Sequence, residues 1–184
     1  MPILGILASS FPAAGTAFES IATVTTSAGA TTLTFSSIPQ TYSSLQIRYI
    51  ARRNDNGSFY LYMKPNGDSG ATNKAYHELK GNGTAASATG AASTSLIELA
   101  RATSADQSTG IFAVGIIDIH DYTNTSRNKT VRTFSGYDAN GSGEVWLSSG
   151  FMTSTSALTS IEITGGGDPF AANCVFALYG IKGA

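Results

Sequence analysis

Apolar and polar residues alternate with a period of two along most of this chain, and turn chemistry interrupts the alternation at short intervals. Leu45-Gln-Ile-Arg-Tyr-Ile-Ala51 sets Leu45, Ile47 and Tyr49 against Gln46, Arg48 and Ile50, the pattern of a strand with one face in a core. Leu33 and Phe35 share a face in residues 31–35. Ile38-Pro39 ends that strand, since proline lacks a donor and restricts the residue before it. Residues 18–25 form a first strand of imperfect alternation, and Ser27-Ala-Gly-Ala30 turns it into the next. Further strand patterns occupy residues 59–63, 75–79, 95–99, 130–134, 144–147, 158–164 and 175–181. Ile111-Phe-Ala-Val-Gly-Ile-Ile-Asp-Ile119 is the most hydrophobic run and predicts a central strand buried on both faces.

The turns have their own logic. Asp55-Asn-Gly57 predicts a hairpin turn, because Asn-Gly supplies the positive φ angles such a turn needs. Residues 66–70 and 138–143 are turns of similar chemistry, and residues 103–109 and 123–129 are polar loops. Residues 82–94 are Ala, Gly, Ser, Thr and one Asn, with nothing large to bury, and predict an exposed loop. No helical period competes. About ten or eleven strands at this spacing predict an all-β protein, an antiparallel β-sandwich with a jelly roll as the favoured topology.

Composition then narrows the classes. Ala, Gly, Ser and Thr make up 90 of the 184 residues, while Leu, Ile, Val and Phe number 39. The core is therefore thin for the length. Eleven Lys and Arg against twelve Asp and Glu leave a net charge of -1, which argues against nucleic acid as a partner. The single cysteine, Cys174, allows no internal disulfide and sits in a strand-like context that predicts a small buried side chain. Five Asn-x-Ser/Thr triplets, at Asn56, Asn82, Asn124, Asn128 and Asn140, read as turns.

Candidate chemistry is sparse. Asp118 and His120 share a strand face, but two ligands do not make a metal site, and a structural hydrogen-bonding role is expected. In Tyr76-His77-Glu78 neighbouring side chains point to opposite faces. Gly165-Gly-Gly-Asp168 opens no helix, so it lacks the setting of a phosphate loop. The acids are scattered, and no nucleophile motif or phosphate-binding loop is present; neither an enzyme nor a cofactor nor a metal is predicted. The aromatics are the exception. Tyr60, Tyr62, Tyr137 and Trp146 are candidates for stacking on a sugar ring or for anchoring a subunit interface. Trp146, with Glu144 and Ser148 as same-face neighbours, is expected to face outward.

At the N-terminus, residues 1–16 read as an arm ahead of a sandwich domain over 17–184. Its apolar residues Ile3, Leu4, Ile6, Leu7 and Phe11 have no basic start for a secretory signal. They are also far short of the roughly 20 apolar residues a membrane span needs. An exposed Ile-Leu-Gly-Ile-Leu is a liability that docking on another subunit or protein removes.

Four segments together resemble a family of small structural proteins of tailed bacteriophages of aquatic bacteria. They are Phe18-Glu-Ser-Ile-Ala-Thr-Val, Ile38-Pro-Gln-Thr-Tyr-Ser-Ser-Leu-Gln-Ile-Arg, Ser135-Gly-Tyr-Asp-Ala-Asn-Gly-Ser-Gly and Phe176-Ala-Leu-Tyr-Gly-Ile-Lys-Gly. The resemblance runs from about residue 17 to the C-terminus and carries no catalytic motif. It implies a virion component on the particle exterior. The leading expectation is a capsid-decorating or cement protein whose arm holds it to the major capsid protein or other virion proteins. By analogy with viral jelly rolls it would be a homo-oligomer, with a trimer favoured. The alternative is a tail-fibre or receptor-binding module that recognises a host surface glycan.

Overall fold

The computed structural model describes residues 17–57, 60–68, 70 and 73–183. The proposed arm, with Ile3, Leu4, Ile6, Leu7 and Phe11, lies outside the described residues. Within them the chain forms β1 (Phe18–Thr25), β2 (Thr32–Phe35), β3 (Ser44–Ala51) and β4 (Tyr60–Pro65). Next come β5 (Lys74–Gly81), β6 (Ala86–Thr94), β7 (Ile97–Arg101) and β8 (Ala113–His120). The series ends with β9 (Lys129–Asp138), β10 (Gly143–Met152), β11 (Ile161–Thr164) and β12 (Val175–Ile181). No helix occurs among the described residues. One sheet has eight strands in the order β1-β12-β3-β8-β9-β10-β5-β6; the other has four in the order β2-β11-β4-β7. Every pairing between named strands is antiparallel. The two sheets form a β-sandwich around one apolar core.

The alternation reads directly into that core. Leu45, Ile47 and Tyr49 of β3 are buried, as are Leu33 and Phe35 of β2. From the small sheet, Leu61, Met63, Ile161 and Ile163 meet them; from the large sheet come Ile117, Ile119, Phe176 and Leu178. Tyr49 stacks on Phe176 with ring centroids 5.5 Å apart, and Phe170 meets Phe176 edge-on at 5.7 Å. Cys174 is buried in the same core, its Sγ 3.2 Å from the Arg52 carbonyl oxygen.

Several expectations change. Asp55-Asn-Gly57 does turn the chain, with Gly57 at φ 116°, but it closes no hairpin. β3 belongs to the large sheet and β4 to the small one, so the turn is a crossover between sheets. The buried Arg53 guanidinium ties that crossover to the opposite loop by pairing with both Asp55, at 2.8 Å, and Asp168. The glycine run therefore serves geometry: Gly166 and Gly167 adopt positive φ and deliver Asp168 to Arg53. Most of the expected loop 82–94 is β6, the edge strand paired along its length with β5. Its small, mostly exposed side chains have no apolar face to betray a strand, and its place in the sheet comes from pairing with β5.

β8 is central but not covered on both sides. Its inward residues Ala113, Ile117 and Ile119 are fully buried, whereas Val114 is 55% exposed. The strands beside it repeat the pattern, with Phe134 of β9 60% and Val145 of β10 53% exposed. The outer face of the large sheet is thus apolar over several adjacent strands.

Candidate functional site at the curled end of the large sheet

β7 is the edge strand of the small sheet, yet all five of its residues are buried. The β10 and β5 end of the large sheet curls over it. Gly150 of β10 permits the approach: a Cβ there would lie 2.1 Å from Cγ2 of Ile97. A register slip in β7 sets what faces the curled sheet. Leu61 pairs with Ala100 but Tyr62 pairs with Glu98, so Leu99 is an extra residue and β7 bulges there. The bulge turns Glu98 and Arg101, three positions apart, to the same side as Tyr62 and Tyr60. In a regular strand they would face opposite ways.

A stack of rings and cations fills the seam. The Tyr62 and Tyr60 rings lie 6.0 Å apart and roughly parallel. The Arg101 guanidinium carbon sits 3.4 Å from the Tyr60 centroid and 3.7 Å from that of Trp146. Lys80 covers the Trp146 ring at 4.7 Å and pairs with Glu144 at 2.6 Å. Arg101 also meets two carboxylates, Glu78 at 2.5 Å and Glu98 at 3.0 Å, all three side chains buried. The stack joins β4 and β7 of the small sheet to β5 and β10 of the large one. Neither Arg101 Nη1 nor the Trp146 indole nitrogen has a hydrogen-bond partner among the described residues. Ring faces and charge therefore hold these two atoms, beside the hydrogen bond that Arg101 Nη2 donates to Glu78 at 2.5 Å.

Two carboxylates around one cation have an electrostatic cost. Burial, reinforced by the negative Glu78, raises the Glu98 pKa to about 7 against the opposing pull of Arg101. The neighbouring Tyr76 hydroxyl is pushed up to about 12, first by burial and then by the Glu98 charge. Beside the stack a hollow of about 300 Å³ opens to the surface, with Tyr62, Tyr76, Glu98 and Gly166 in its lining. It offers two phenol rings and one carboxylate to a ligand with hydroxyl groups and a flat face.

The four candidate aromatics thus gather in one region but divide in accessibility. Trp146 is inward, 6% exposed, with cations within ring-contact distance of its indole, which corrects the outward placement. Tyr60 lies between Tyr62 and Arg101. Only Tyr62 keeps a ring at the hollow. Tyr137 pairs in register with Glu144, near the Lys80 end of the stack, where burial raises its pKa and the Glu144 charge adds to the rise. Sequence reasoning missed Arg101, Glu98 and Lys80, and it set aside Tyr76-His77-Glu78, of which Tyr76 and Glu78, two positions apart on one strand face, both reach the site. The available signal was the pair of charges inside Ile97-Glu-Leu-Ala-Arg101, which makes sense only with the bulge.

Asp118 of the Asp-Ile-His segment accepts from Gln46 at 2.9 Å and pairs with Arg132 at 3.2 Å on the outer face, a structural role. Among the described residues no group of three His, Cys, Asp or Glu side chains is placed to hold a metal ion. No protein-family model, curated protein or solved structure matches this chain.

Proposed function

We propose that this protein is a structural component of a tailed-bacteriophage virion, a decorating or cement protein on the capsid exterior. The observation that carries the proposal is strand order. β1-β12-β3-β8 opposite β2-β11-β4-β7 is the order expected of an eight-stranded jelly roll, a fold used by viral capsid proteins among others. The remaining four strands are two excursions, β5–β6 and β9–β10, that extend the large sheet beyond β8. Fold alone does not assign function; the resemblance of the four segments to phage virion proteins supplies the class. In this reading the sandwich faces outward and the apolar arm, Ile3 to Phe11, binds the major capsid protein or another virion protein.

Quantitative mass spectrometry and reconstruction of purified particles test this. Hundreds of copies on the capsid surface are the expected result; a few dozen copies confined to the tail would overturn it. Deleting residues 1–10 is expected to abolish incorporation, and unchanged incorporation removes the arm from the proposal. A second reading, a receptor-binding module for a host glycan, is favoured by the hollow at Tyr62, Tyr76 and Glu98. Glycan-array binding that is lost in Tyr62→Ala would move the assignment there.

A further inference from the structure

The outer face of the large sheet is arranged in rungs, and two adjacent rungs differ in a regular way. Leu79, Leu147, Phe134 and Ile116 are register partners across β5, β10, β9 and β8. On the next rung stand Gly81, Val145, Gly136 and Val114. Each strand thus places a larger residue on one rung and a smaller one two positions away. The contrast is sharpest on β9, where Phe134 projects beside Gly136. A hollow of about 650 Å³ lies over Gly136, with Val114, Phe134, Tyr137 and Val145 in its wall. Gly136 has to remain small, because a Cβ there would sit 2.6 Å from the Glu144 carbonyl oxygen.

We propose that a second copy of this chain covers this face, related by a twofold axis lying in the interface and running across the strands between the two rungs. That operation lays the larger rung of each copy on the smaller rung of the other. Phe134 enters the partner's hollow over Gly136, Leu147 meets Val145, Ile116 meets Val114, and Leu79 meets Gly81. The contact is isologous, the same patch used twice, and two sheets stacked this way pack about 10 Å apart. Area supports it as well. The exposed parts of these side chains amount to roughly 600 Å², the upper end of what a monomer leaves in water. Two copies with their rims would bury on the order of 1,200 Å² or more, the lower bound of stable interfaces.

Charge at the rim agrees with the same axis. On β9 the operation that superposes 134 on 136 also brings Arg132, which within its own chain pairs with Asp118 at 3.2 Å, to Asp138 of the other copy. Both are exposed at opposite ends of the patch. Six residues apart on one strand, they are roughly 20 Å from each other within a chain and meet only between chains. The proposal replaces the threefold arrangement expected by analogy with a twofold one, and it does not depend on the virion assignment.

Sedimentation equilibrium of the full chain at micromolar concentration tests it. The expected mass is twice the 19.0 kDa of the chain. Phe134→Asp, and separately Val145→Asp, should weaken association by roughly 30-fold or more while leaving the circular dichroism spectrum unchanged. Arg132→Asp should weaken it less, and adding Asp138→Arg should restore it, as only contact between chains in this register allows. A monomer at all concentrations overturns the proposal. So does an oligomer indifferent to Phe134→Asp and Val145→Asp, or a charge swap that restores nothing.

Discussion

On β5 and β10 the residues Glu78 and Trp146 point into the molecule, while Leu79 and Leu147, each one position further along its strand, point into solvent. The two faces of this part of the sheet thus invert the usual distribution: a cation and two carboxylates inside, a leucine-rich surface outside. Strand geometry explains how both can exist, since a shift of one residue changes face. What differs is the cover. The inner face meets β7, whose bulge supplies an arginine enclosed by two rings and two carboxylates. Nothing within the described chain covers the outer face. Burial here follows from where the second layer lies, and hydropathy follows from what each surface has to meet.

Breaking the inner side should have the largest effect. Arg101→Ala leaves Glu78 and Glu98 buried without their cation and removes the centre of the stack. It should lower stability by about 3–5 kcal/mol in urea unfolding at neutral pH. Replacing the group together, as Arg101→Met with Glu78→Leu and Glu98→Leu, should recover most of that loss, because no orphaned charge remains. A triple variant as unstable as Arg101→Ala would mean that the rings, and not the charge balance, dominate.

The close approach of β10 to β7 comes next. Gly150→Ala pushes a methyl group into Ile97 and should cost about 1–3 kcal/mol. Combined with Ile97→Ala, the loss should be smaller than the sum of the two single losses, since the second change removes the closer of the two overlaps and leaves only Val131 Cγ2, at 2.8 Å. Strict additivity in a double-mutant cycle would place the strain elsewhere.

How much of this was legible beforehand depends on range. β2, β3 and β12 could be read because their alternation is local, and Leu33, Phe35, Leu45, Ile47 and Tyr49 all reach the core it indicates. β6 could not, because Ala, Ser, Thr and Gly look alike whether paired or free. Asn56-Gly57 marks a turn, but which sheet the following strand joins is decided by packing far away in sequence. For β8, hydrophobicity signalled centrality and wrongly implied cover on both sides. Gathering Tyr60, Tyr62 and Trp146 needed Arg101, and Arg101 needed the bulge at Leu99, a one-residue irregularity that no periodicity announces.

The pH dependence of the seam is a finer test. In the unfolded chain Glu98 ionises near 4.3, whereas in the fold its pKa is about 7. The folded state therefore binds that proton more tightly. The stability it lends is complete below the unfolded value and is lost as pH rises through about 7. Glu98→Gln, which stays neutral, should exceed the parent chain by about 1–3 kcal/mol at pH 8 and match it at pH 4. An equal difference at both pH values would show that shape, not charge, sets the effect.

The smallest effect on folding should come from the outer face, and that smallness is informative. Phe134 is the most exposed of the large apolar residues, so Phe134→Ser removes little buried area within one chain. Its unfolding free energy, measured at high dilution, should change by no more than about 0.5 kcal/mol. At higher concentration the two proteins should part company. A parent chain that pairs through this face gains apparent stability with concentration, because association draws on the folded state alone. The serine variant should keep one midpoint across the same range. If Phe134→Ser instead loses 2 kcal/mol or more at dilution, the outer face belongs to the chain's own core, and the contrast between a seam satisfied within the molecule and a face satisfied between molecules fails.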